Sequence, residues 1–97
     1  MEQKPLWKID SGEFAGWRMG DQLHDVKGTH VGMFRGDIAY TLKGEYLGEI
    51  VNDEWLGKHI TRRPPPIAAR EQRGSVHSVP RAPRSGRPSK IWEDPKV

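Results

Sequence analysis

Apolar residues in the first two thirds of the chain come in short bursts, and the interruptions between them are evenly spaced. Glycine stands at positions 12, 20, 28, 36 and 44, one every eight residues, and Asn52 takes the next place in the series. Glycine and asparagine tolerate the positive φ that tight turns demand, so the series predicts a turn every eight residues. About six residues remain between turns, which suits a strand and is too short for an ordinary helix. The expected fold is all-β, a repetitive antiparallel meander of about seven short strands at 4–10, 13–19, 22–26, 29–35, 38–42, 45–51 and 54–60. Ser11-Gly12, Lys27-Gly28 and Lys43-Gly44 would close one set of hairpins, and Gly20-Asp21, Gly36-Asp37 and Asn52-Asp53 the other.

A sixteen-residue step lies over the eight-residue one. Gly16, Gly32 and Gly48 keep it, and so do Asp21, Asp37 and Asp53. Because sixteen is even, a residue type can hold one face of the sheet from unit to unit. The column Ala15, Val31, Leu47 is apolar throughout and the column Trp7, Leu23, Ala39, Trp55 matches it, so these two are the expected core. On the opposite pleat stand Phe14, His30 and Tyr46, each two residues before a glycine of the second series. A ring laid over a residue with no side chain is a packing device, and the glycines read first as places of aromatic coverage and close backbone approach. The second reading is an aromatic strip facing a ligand, made of Phe14, Trp17, His30, Tyr46 and Trp55.

Charge divides the chain where the periodicity stops. Residues 1–61 carry 7 Lys/Arg against 10 Asp/Glu, and residues 62–97 carry 9 Lys/Arg against 3 acids, so a net −3 head precedes a net +6 arm. Seven of the eight prolines lie in the arm, with Pro64-Pro65-Pro66 at the boundary. Low hydrophobicity with high proline and charge marks a segment that does not offset its own ordering entropy, so 62–97 reads as a largely disordered basic arm after a β-repeat domain at 1–61. The exception is Trp92, beside Ile91, which reads as a docking segment for the head or a partner. Cysteine is absent, and no apolar run is long enough to span a membrane. A soluble, cytoplasmic protein without disulfides is expected.

A head this small is marginally stable alone, and an open meander leaves two bare edge strands. Self-association that pairs the edges and buries Trp7, Trp17 or Trp55 would relieve both problems. The stretches from His24 to Gly32 and from Tyr40 to Gly48, each a run of residues into a Gly-x3-Gly step, resemble the small bacterial proteins of the four-fold β-flower family over about residues 6–58. That resemblance implies a cyclic homotetramer with an axial pocket, and it carries over no catalytic residues.

Candidate chemistry is sparse. The histidines at 24, 30, 59 and 77 fit no zinc spacing. His24, Asp25 and His30 can meet across the hairpin at Lys27-Gly28 as a metal cluster, and Asp25 or Asp37 with His24 would make an acid–base pair, although an Asp in a tight turn is explained by the backbone hydrogen bonds it accepts. No nucleophile-elbow, phosphate-loop or zincin motif occurs. No catalytic residue, metal or cofactor is therefore expected, and the first functional reading is a non-enzymatic homo-oligomer offering an aromatic face to an apolar small molecule or a peptide. The alternative is an oligomeric nucleic-acid accessory protein that binds phosphates through Arg62, Arg63, Arg81, Arg84, Arg87 and Lys90.

Overall fold

Every place in the eight-residue series takes a positive φ, from 79° at Gly12 to 50° at Asn52, and the predicted turns fall there. The computed structural model describes residues 3–87 and 90–97, and among the described residues there is no helix. Seven strands follow one another as a meander: β1 (Gln3–Lys8), β2 (Phe14–Met19), β3 (Gln22–His24), β4 (His30–Arg35), β5 (Ile38–Thr41), β6 (Tyr46–Val51) and β7 (Trp55–His59). An eighth, β8 (Trp92–Glu93), comes from the arm and pairs with β7.

The meander is closed, which corrects the expectation of bare edges. β1 pairs with β7 through Trp7↔Trp55 and Lys8↔Leu56, so the sheet becomes a barrel. In an antiparallel meander of seven strands the first and last run the same way, and the closing pair is accordingly parallel. The argument for self-association from unpaired edges therefore loses its premise.

Bulges explain the second glycine series. The register slips between Leu6 and Trp7, between Leu23 and His24, and between Ala39 and Tyr40, leaving Ala15, Val31 and Leu47 unpaired opposite them. The glycine that follows each bulge lies against the neighbouring strand. A Cβ on Gly16 would sit 2.1 Å from the His24 carbonyl oxygen, and one on Gly32 would sit 2.5 Å from that of Tyr40. Close backbone approach at a bulge, which bends the strand and closes the barrel, is what these glycines provide.

The bulges also shift the core. Leu6, Ala15, Leu23, Phe34, Ala39, Leu47 and Leu56 form the barrel interior, with Val31, Ile50 and Val97 packed against them. Trp7 and Trp55, expected inside, lie instead in a second cluster with Ile9, Phe14 and Trp17. The paired strands put Leu6 and Leu56 on the inward pleat, and their indole neighbours point the other way.

Composition predicts disorder for 62–97, and the structure instead lays the described residues of that segment, 62–87 and 90–97, around the barrel as a belt. Ile67 N–H donates to the Gly44 carbonyl at 2.9 Å, Val76 to Gly28 at 2.8 Å and Arg84 to Gly12 at 2.8 Å. The belt visits the three turns of one barrel end in reverse chain order, reaches β7, and clasps its own start where Ile60 N–H donates to the Ile91 carbonyl at 2.9 Å. Asp94 then accepts from the Asp10 N–H at 2.8 Å, and Val97 reaches the barrel core. The radius of gyration of 12.3 Å matches the ~12.5 Å of one compact unit of this length, so the belt adds little spread to the molecule. What composition does not count is the external surface supplied by the barrel, whose carboxylates, carbonyls and rings stabilise a segment with no core of its own.

Candidate functional site

The second aromatic cluster straddles the barrel seam. Trp17 on β2, Trp7 on β1 and Trp55 on β7 stand on three adjacent strands, with Trp7 directly beside Trp55 in the parallel register. Phe14 wedges between two of them, edge-on to Trp7 at 5.9 Å and to Trp17 at 5.3 Å between ring centroids. Those contacts brace Trp7 and Trp17, and Trp55 completes the row in the same apolar cluster, so the three indoles form a ladder.

Three arginines lie on that ladder in order. The Arg81 guanidinium carbon is 5.3 Å from the Trp17 ring centroid, that of Arg84 is 3.6 Å from Trp7, and that of Arg87 is 5.6 Å from Trp55. Residues three apart share one side of a polyproline II helix, which has three residues per turn, and the prolines at 80 and 83 favour that conformation. Each stacked cation contributes about 0.5–1 kcal/mol. Trp7 Nε1–H donates to the Ala82 carbonyl at 2.9 Å. Trp17 Nε1–H donates to Ser78 Oγ at 2.7 Å, and that hydroxyl donates to the Val26 carbonyl at 2.7 Å. Arg84 also pairs with Glu54.

Of the five aromatic residues expected to share a ligand face, Phe14, Trp17 and Trp55 come together here and are joined by Trp7. His30 and Tyr46 lie elsewhere along the belt and act as separate anchors. His30 is fully buried, accepts the Arg73 N–H on Nδ1 at 2.7 Å, and offers its backbone carbonyl to Gln72 at 3.1 Å. That assignment places the proton on Nε2, which is buried without a hydrogen-bond partner. Burial lowers the affinity of His30 for a second proton, and His24, Arg73 and Arg70 act in the same direction against the opposing pull of the Gly32 backbone. Tyr46 donates to Glu49 at 2.8 Å and accepts the His59 N–H at 2.9 Å. Its hydroxyl is pushed up to about 12, chiefly by burial.

Several of the arm's charges meet barrel carboxylates. Arg62 pairs with Glu49 at 2.7 Å and Arg63 with Glu93 at 3.8 Å, while Lys90 is exposed. Arg70 meets Asp21 at 2.7 Å and holds that carboxyl below its ordinary range, mainly through this hydrogen bond. Trp92 lies edge-on to His59 at 5.3 Å on β7, so it docks on the head.

His24 and His30 do meet, with ring centroids 5.2 Å apart, but Asp25 is occupied in its turn, accepting the Lys27 and Thr29 N–H groups at 2.9 and 3.0 Å. Among the described residues no group of three His, Cys, Asp or Glu side chains is placed to hold a metal. The other barrel end opens as a cavity of about 360 Å³ bordered by Lys4, Asp37 and Asp53. Arg18 sits across it, donating to the Gly20 carbonyl at 3.0 Å and the Gly36 carbonyl at 2.9 Å. Among the described residues, no helix is long and apolar enough to cross a membrane. Comparison with protein-family models, curated proteins and solved structures finds no match to this chain.

Proposed function

We propose that this protein is a non-enzymatic interaction module whose indole ladder binds an extended arginine- and proline-containing peptide, with its own arm as the resident occupant. The observation that carries this reading is the register of Arg81, Arg84 and Arg87 on Trp17, Trp7 and Trp55, together with the Trp7 indole N–H on a belt carbonyl. Aromatic grooves that recognise polyproline II segments use the same elements, a row of rings for packing and an indole N–H for a backbone carbonyl. Phosphate binding through the arm is the weaker reading. A polyanion would have to displace Arg62 and Arg84 from carboxylates and Arg81 and Arg87 from rings.

The test uses the full-length chain with R81E, R84E and R87E, which withdraws the resident segment without touching the barrel. A synthetic peptide with the sequence of residues 79–87 should change the tryptophan fluorescence of this variant saturably and leave the wild type nearly unaffected. Equal, non-saturating responses in both would dispose of the ladder as a recognition surface.

A further inference from the structure

We infer that the ladder also accepts the belt of a second copy of the chain, so that two molecules exchange belts and clasp one another. The inference rests on the ladder reading above and adds the source of the ligand.

The belt is built to be transferable. Among the described residues, the backbone N–H groups of Ile67, Arg70, Val76, Arg84 and Arg87 all donate to barrel carbonyls, and that of Arg73 donates to the His30 ring. None of these contacts depends on the belt being covalently attached to the barrel it encircles. A belt lifted from its own barrel leaves Trp7, Phe14, Trp17 and Trp55 uncovered while its own net charge of +6 and its prolines keep it from collapsing. Pro64, Pro65 and Pro66 keep the link extended, so an opened belt projects away from its barrel. The open molecule then carries both an exposed aromatic face and the segment that fits it, and a reciprocal pair satisfies each contact twice.

Mass action sets when this happens. A tethered segment has an effective concentration in the millimolar range, so the self-belted monomer dominates in dilute solution and exchange grows as protein concentration approaches that level.

The chain has no cysteine, which permits a clean test. Lys58 and Glu93 are paired residues of antiparallel β7 and β8, at a separation a disulfide can bridge. One full-length chain carries Lys58→Cys and another carries Glu93→Cys. Mixed at high concentration, incubated and oxidised, they should give the 58–93 heterodimer in excess over the two homodimers combined, which is the statistical share. Adding R81A, R84A and R87A to the Glu93→Cys chain removes the same three stacked cations from its closed monomer as from the exchanged pair, so that yield should stay unchanged, and a fall would mean that the belts do not exchange reciprocally. A single chain bearing both cysteines is the control. If the double variant closes within one chain but the mixture forms only statistical dimers, exchange is overturned and the belted monomer stands. If the double variant fails to close, the β7–β8 clasp is absent and exchange through it is overturned, whereas failure of the ladder itself is read from the peptide titration.

Discussion

Glycines that look alike in the sequence meet different demands. Gly36 needs its positive φ of 64° and has open space around it, whereas Gly28 has φ 87° and the Val76 carbonyl oxygen 2.0 Å from where a Cβ would stand. Gly36→Ala should therefore cost about 1 kcal/mol for the left-handed backbone, and Gly28→Ala about 1 kcal/mol or more beyond that because the belt must also move. Urea midpoints at neutral pH compare the two, and equal losses would mean that the belt does not press on the turn. His30 gives a pH signature. Its folded-state pKa is lowered from 6.5, so the stability it secures is complete above that pH and is lost as pH falls through the unfolded value toward the folded one. Protonation would also put a second donor against the Arg73 N–H. Unfolding midpoints should fall between neutral pH and pH 5, and His30→Gln should flatten the descent. A wild-type profile as flat as the variant's would remove His30 from that role.

Strand number and turn placement were legible because they depend on φ, which glycine and asparagine advertise at Gly12 through Asn52. The facing of the strands was legible only in the middle of the chain, at Ala15, Leu23, Ala39 and Leu47. At the two ends the sequence offers an indole beside a leucine, and only the register of the closed seam puts Leu6 and Leu56 inside while Trp7 and Trp55 go out. The ladder was half legible: the three-residue step of Arg81, Arg84 and Arg87 is plain in the sequence, but its meaning needs the indole row that barrel closure creates. The placement is testable through stability. Leu56→Ala empties a fully buried site in the barrel and should cost about 2–5 kcal/mol. Val31→Ala, at a half-buried bulge, should cost less. Thermal unfolding that ranks them in reverse would contradict the assigned interior.

At the scale of the molecule, the opposite charges of head and arm describe two surfaces that meet. Exposed pairs such as Arg70 with Asp21 add only about 0–1 kcal/mol each, so the belt is held by the sum of hydrogen bonds, stacked cations and the β8 clasp. Hydrogen exchange reads this directly. The amides of Ile67, Arg70, Arg73, Val76, Arg84 and Arg87 should be protected despite their proline-rich, charged surroundings. Exchange at random-coil rates across 67–87 would mean a loose tail. The two-residue parallel seam bears on how the molecule is made. Arg84 and Arg87 lie across its two sides on Trp7 and Trp55, and in chain order all seven strands precede the segment that covers their first and last members. A chain halted after β7 would lack the segment that covers Trp7, Trp17 and Trp55. The last-made third of the sequence is thus the lid on the first-made strand.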